Sequence, residues 1–511
     1  MNRRDFMSSS LGLGAALALG RMLLANPADA ADMSARLGEA TPFSRAILLD
    51  LAKKMSAESY KEPAQVPDPW ASLSFEQYRE IRFRQDRALW LGEMRGFTAM
   101  LLPTGSIYKQ SVDLFVVSEG AARELRFSPD LFDYPTQVKP PEAGQDLGFS
   151  GFKLQRMAAT GEAAEEFVTY QGATYFRARA NGQSYGVTAR GLAINTGEPS
   201  GEEFPFFERF WIEEPDVNAS SIVVHALLNS RSCTGIYRFT LRADAETTID
   251  VELTLFPRED MPHVGLGALI SMFLYDATSR ARFDDFRPAV HTSDGLSILT
   301  GSGELIWRPL ANPKTLQISS FGDQNPRGFG LIQRHRGFEH FSDLKDRYDL
   351  KPSCWVEPIG DWGQGAVELI EIPSDNEIHD NILCNWRPQA KLPAGQQFTA
   401  SYRMHWSAGR ALQTDLAVVS DTRIGQGGGS QSRRFVVDFS GTLPSPDKVR
   451  LELSASNGKI TSQTILANPV KGGLRLIFEL DTRNTQLSEL RASLLDGTKR
   501  ISETWLYRWT G

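Results

Sequence analysis

The run Ile249-Asp250-Val251-Glu252-Leu253-Thr254-Leu255 alternates apolar and polar residues without a break. It restricts the chain more than any other feature. Successive side chains of a strand point to opposite faces, so this run fits a strand with one face on a core and the other in water, and it fits no helix. Related runs lie around Phe167 to Tyr175, Tyr185 to Ile194, Ile222 to Leu228 and Tyr237 to Leu241. Turn residues separate them at short intervals, with 43 Gly and 27 Pro in 511 residues, and no series of long amphipathic helices intervenes. The pattern predicts an all-β protein of antiparallel sheets, most economically a large sandwich.

Such a length exceeds one typical hydrophobic core, so two domains are expected. A Pro-rich run from Arg387 to Gln396 reads as the linker, with the boundary at 389–396. The remainder, 397–511, is long enough for one small sandwich. Within it Val449, Leu451 and Leu453 alternate with Arg450 and Glu452, and Asn457-Gly458 predicts a tight hairpin. Near the other end, Thr41-Pro42 predicts a helix start, with Phe43, Ile47, Leu51 and Met55 on one face. Ser74-Phe75-Glu76-Gln77 predicts a capping box opening a second short helix.

Residues 1–30 read as an address. Arg3-Arg4 precede a modest apolar run, Leu11 to Leu19, and Ala28-Asp29-Ala30 offers a small-residue cleavage site. This predicts twin-arginine export to a periplasm, leaving a mature chain from residue 31 with no membrane span. The formal charge of −7 disfavours phosphate backbones, so nucleic acid is excluded as a partner, whereas a neutral polymer is acceptable. Cysteines 233, 354 and 384 are odd in number for an oxidising compartment. A Cys354–Cys384 bridge and three buried thiols are the alternatives, the latter expected. The seven histidines form no HxxxH or HExxH pattern, so neither a metal nor another cofactor is predicted.

Chemistry concentrates between Cys354 and Trp386, where Glu357, Asp361, Asp375, Glu377 and Asp380 lie among Trp355, Trp362 and Trp386. Indole faces suit the CH side of pyranose rings, and carboxylates bind hydroxyls and move protons. Trp355, Glu357, Trp362 and Glu377 are therefore candidate sugar-binding residues, with Trp307 and Tyr275 weaker ones. The same composition also describes ordinary strand ends of a large sandwich.

The segments LSFEQYREIRFRQDRALW (73–90), LGFSGFK (147–153), GEEFPFFERFWIEEP (201–215), PSCWVEPIGDWGQG (352–365) and SETWLYRW (502–509) resemble the OpgG/OpgD family of periplasmic glucan biosynthesis proteins. The similarity runs in order through the mature chain, and the twin-arginine leader points to the D branch. The resemblance implies a galactose-mutarotase-like β-sandwich over 31–388 followed by a smaller immunoglobulin-like sandwich over 397–511. It further implies action on β-1,2-glucan by inverting cleavage or transglycosylation, with a membrane glucan synthase as a candidate partner. A glucan-binding scaffold without turnover is the alternative.

By that resemblance Asp380, in His379-Asp380-Asn381-Ile382, takes the place of the family's general acid. The family's general base falls at Thr292 of His291-Thr292-Ser293-Asp294, where this chain has a hydroxyl. An inverting hydrolase needs a second carboxylate about 6.5 to 9.5 Å from the acid to deprotonate water, which threonine cannot do alone. Either Asp294 or another acid serves as base, or a sugar hydroxyl replaces water, or the protein binds without turnover. Asp294 beside Gly295 also reads simply as a turn.

Overall fold

The computed structural model describes residues 36–511 apart from 143, 158–163 and 410–412, so the export leader lies outside the described residues. The described chain is all-β, as the alternation predicts, and divides into two compact units.

One unit comprises the described residues of Leu13–Ala268 together with Asn385–Trp406. One of its sheets orders the strands Asp113–Ser118, Phe206–Glu213, Ile222–Asn229, Cys233–Ala243, Thr247–Pro257 and Phe398–Ser407 side by side. Another orders Thr188–Arg190, Tyr175–Ala178, Glu165–Gln171, Phe149–Arg156 and Phe97–Pro103. Their inner faces meet through aromatic rings, Phe152 against Phe210 at 5.2 Å and Tyr170 against Phe239 at 5.3 Å between centroids. Each edge-on pair adds about 0.5–1.5 kcal/mol beyond its buried area.

The founding alternation is realised residue by residue. Ile249, Val251, Leu253 and Leu255 are buried. Between them Asp250 pairs with Arg242 and Arg403, and Glu252 with Arg238 and Arg45. A helix over Arg45–Ser56 buries Leu48 and Ala52 against Trp211, Leu227 and Ile236. It begins later than the Thr41-Pro42 reading: Thr41 and Pro42 end a strand, and the Ser44 side chain accepts from the Ile47 amide as the cap. The capping box at Ser74 and Gln77 is present.

The expected boundary at 389–396 is not where the units divide. Leu392 exchanges backbone hydrogen bonds with Met261, and Phe398–Ser407 pairs antiparallel with Thr247–Pro257. The Pro-rich run is thus a loop of the first unit, because the strand after it completes that unit's sheet.

A second unit comprises Leu269–Cys384 and Ser407–Gly511. Its strands Ser353–Ile359, Gly328–Ile332, Gly295–Leu299, Leu305–Pro309, Thr504–Thr510, Leu487–Asp496 and Arg450–Ala455 follow one another in a sheet. A four-stranded sheet of Val418–Gln426, Ser432–Ser440, Leu474–Asp481 and Lys459–Ala467 faces part of it. Phe435, Leu476 and Phe478 from the latter pack on Leu490, Ala492 and Trp505 from the former.

Asn457-Gly458 forms no hairpin. The strand before it pairs with Leu487–Asp496 and the strand after it with Leu474–Asp481, so the turn crosses from one sheet to the other. Gly458, at φ +79°, supplies the left-handed conformation such a turn shares with a hairpin. Cys233, Cys354 and Cys384 are free and buried.

Candidate functional site

The second unit carries every candidate residue of the sequence. Short strands Phe273–Tyr275 and Val290–His291 pair antiparallel, with Phe273 opposite His291. Their rings stack at 5.4 Å, and the Thr292 amide donates to the Met272 carbonyl at 2.8 Å. Asn381 reaches the same ribbon. Its Oδ1 accepts from the Phe273 amide at 2.8 Å, and its Nδ2 donates to the carbonyls of Phe273 and Ile372, both at 3.0 Å. Thr292 therefore follows a member of the Phe273–His291 pair, and Asp380 precedes Asn381, whose side chain bonds to that pair. Asp380 is half-buried and Thr292 buried.

Asp294 closes no turn. Its backbone bonds to Ile332 and Leu310, and Gly295 begins a strand where a Cβ would meet the Trp307 ring at 2.4 Å. The glycine is needed for that close approach. The Asp294 carboxylate is buried and hydrogen-bonded through both oxygens: Oδ2 accepts from the amides of Arg334 and His335, and Oδ1 from His335 Nδ1 at 2.6 Å. Burial opposes its charge, but His335 outweighs this and holds the carboxyl well below the usual range. A carboxylate so weakly basic is a poor acceptor for a proton from water.

On the imidazole side, burial opposes the charge of His335, yet Asp294 and then Asp421 push its pKa up to about 10. His335 Nε2 lies 3.4 Å from Asp421, which also pairs with Lys471 and, at 3.1 Å, Arg423. His340 stacks flat on His335 at 3.8 Å. Burial lowers His291 to about 4 and His340 to about 3, so both rings are neutral at pH 7.

Glu377 is held by an arginine. Arg287 Nη1 lies 2.8 Å from Glu377 and 2.7 Å from Asp343, while Nη2 lies 2.8 Å from Asp285. Glu357 is exposed on its strand. The tryptophans differ from expectation. Trp355 and Trp362 are only 3% and 9% exposed, and a ring that stacks on a sugar needs an open face. Trp355 packs in the hydrophobic core, and with Gln333, Arg334, Arg336 and Glu503 it lines a cavity of about 330 Å³. Trp307 is capped by the Arg334 guanidinium at 3.4 Å, and Tyr275 is fully buried.

Sequence reasoning missed four participants. His335, His340 and Asp421 carry no motif, because they meet Asp294 only through sheet topology. Asp276 is the fourth: burial raises it to about 6 although Thr278 hydrogen-bonds it. Asp-Ala-Thr-Ser reads as a turn, and nothing in those letters reveals a carboxyl whose burial raises its pKa. The expectation of no metal also took no account of His291, Asp294 and His340 as a group, which offer ligand atoms within 4.8 Å of one another.

Comparison with known proteins bears on the whole chain. Residues 43–509 match the family described as "Periplasmic glucan biosynthesis protein, MdoG". A "Glucans biosynthesis protein G" of Rhodopseudomonas palustris strain BisA53 is 46% identical over 473 residues, 92% of this chain and 93% of the relative. The protein of that name in strain CGA009 is 44% identical over 514 residues, covering 100% of both chains. In Bradyrhizobium diazoefficiens another is 42% identical over 515 residues, again covering 100% of both. These relatives bear the G name, so the D branch suggested by the leader finds no support in them. Among the described residues no helix is long and apolar enough to cross a membrane. The chain belongs to the MdoG family of periplasmic glucan biosynthesis proteins.

Proposed function

We propose that this protein rearranges β-1,2-linked glucan in the periplasm, with Asp380 donating a proton to the glycosidic oxygen and a glucan hydroxyl near Thr292 acting as acceptor. The observation that supports this reading is that the chain neighbours of Asp380 and Thr292 meet on one short ribbon, where Asn381 bonds to Phe273 and His291 pairs with it. Transfer is favoured over hydrolysis for two reasons. Thr292 has no carboxylate, and the hydrogen bonds on Asp294 leave it a weak base. Asp294 then organises the segment after Thr292 and takes no proton. Glu377, held by Arg287, and exposed Glu357 are proposed to bind glucose hydroxyls. The Arg3-Arg4 leader would deliver the chain to this compartment.

The same missing base supports a second reading, a glucan-binding scaffold that assists a membrane synthase without turnover. Incubating the purified protein with linear β-1,2-glucan and resolving the products separates the two. Recombined or cyclic chains are expected. Shorter chains alone would mean that water is the acceptor, and an unchanged profile with measurable binding would establish the scaffold.

A further inference from the structure

Gln333 fixes the tautomer of His291. Its amide nitrogen donates to the carbonyls of His291 at 3.4 Å and Tyr348 at 3.2 Å, which turns its oxygen toward His291 Nδ1 at 3.1 Å. An amide oxygen only accepts, so Nδ1 carries the hydrogen and Nε2 presents a lone pair. That lone pair faces another acceptor, Asp294 Oδ1, 3.5 Å away. His291 is 0% exposed and its Nε2 has no hydrogen-bond partner. His340 Nε2 is also buried and unpartnered. Two unpartnered ring nitrogens beside one carboxylate leave room for a shared partner among the three side chains.

We propose that His291, Asp294 and His340 form a binding site for a divalent transition-metal cation of borderline softness, with Zn²⁺ as the ion the set fits. Two imidazole nitrogens and one carboxylate oxygen are a zinc donor set with one position left open. Tetrahedral bonds of about 2.1 Å place ligand atoms about 3.4 Å apart. The His291–Asp294 spacing of 3.5 Å already matches, and the 4.8 Å limit on the group leaves His340 a small side-chain adjustment. The surrounding bonds are those that orient ligands: Gln333 on His291 Nδ1, and His335 Nδ1 with two backbone amides on Asp294. Bound there, the cation ties the strand end before Thr292 to the Phe338–Phe341 helix. This inference is independent of any glucan activity.

The test uses full-length, tag-free protein stripped with chelator and titrated with Co²⁺, a coloured stand-in for Zn²⁺, without substrate. About one Co²⁺ per chain with the intense visible bands of tetrahedral coordination is expected. His340→Ala, at a half-buried position, should weaken uptake by more than about 100-fold, beyond the roughly 10- to 100-fold typical of losing a supporting residue. Circular dichroism establishes that the variant is folded, and Zn²⁺ should raise the Tm of the wild type but not of His340→Ala. Absence of stoichiometric uptake, or equal uptake by His340→Ala, would overturn the proposal. So would a crystal soaked in Zn²⁺ that shows only a water between the three side chains.

Discussion

At position 292 a buried hydroxyl stands where a base would be expected, and at 294 a carboxylate has its oxygens occupied by three N–H groups. On the proposed reading, chemistry then falls on Asp380. Replacing it with Asn keeps the shape and removes the proton, so Asp380→Asn should lower turnover of β-1,2-glucan by about 10²–10⁴-fold with the Tm unchanged. Turnover within about threefold of wild type would take the acid role away from this residue. Thr292→Asp restores a titratable group beside the same ribbon, and its products should shift from recombined toward shorter chains. An unchanged product ratio would mean that the acceptor is not activated from position 292. Asp380 stood out only through the Asp-Asn-Ile motif, whereas the hydrogen bonding of Asp294 was illegible, since its partners lie 40 and 41 positions away.

Loops around this ribbon are locked by ion pairs as well as by sheet hydrogen bonds. Arg287 gathers Asp285, Asp343 and Glu377, three carboxylates from separate segments. Hydrogen bonds from Arg287 lower Asp285 to about 2, from an ordinary value near 3.9. A depressed carboxyl stabilises the fold above its unfolded pKa, and this contribution disappears as pH falls through the folded value. Wild-type protein should therefore lose stability between about pH 4 and pH 2. Arg287→Met, less stable at neutral pH, should show a stability difference from wild type that narrows across the same window. Denaturant midpoints measured at both ends check this, and a constant difference would contradict the role of Arg287. At this scale, period-two strands and the Ser74 capping box were readable because their causes are local. Asn457-Gly458 misled because its backbone demand is the same whether the next strand pairs with its predecessor or crosses to another sheet.

For the whole chain, alternation and turn spacing were enough to indicate an all-β protein, and length alone suggested two domains. They could not place the division, because Phe398–Ser407 follows a Pro-rich run yet joins the sheet of the first unit. Burial of Trp355 and Trp362 was equally hidden, since an indole reads alike in a cleft and in a core. The family is shown by similarity across the full length, while the proposed reaction needs Asp380 and Thr292 to face one glucan chain. A crystal of Asp380→Asn soaked with linear β-1,2-glucan tests that requirement most directly. The account predicts a glycosidic oxygen about 2.6–3.2 Å from the residue 380 side chain and an acceptor hydroxyl beside Thr292. A glucan bound away from both residues, with position 380 reaching no sugar atom, would contradict it.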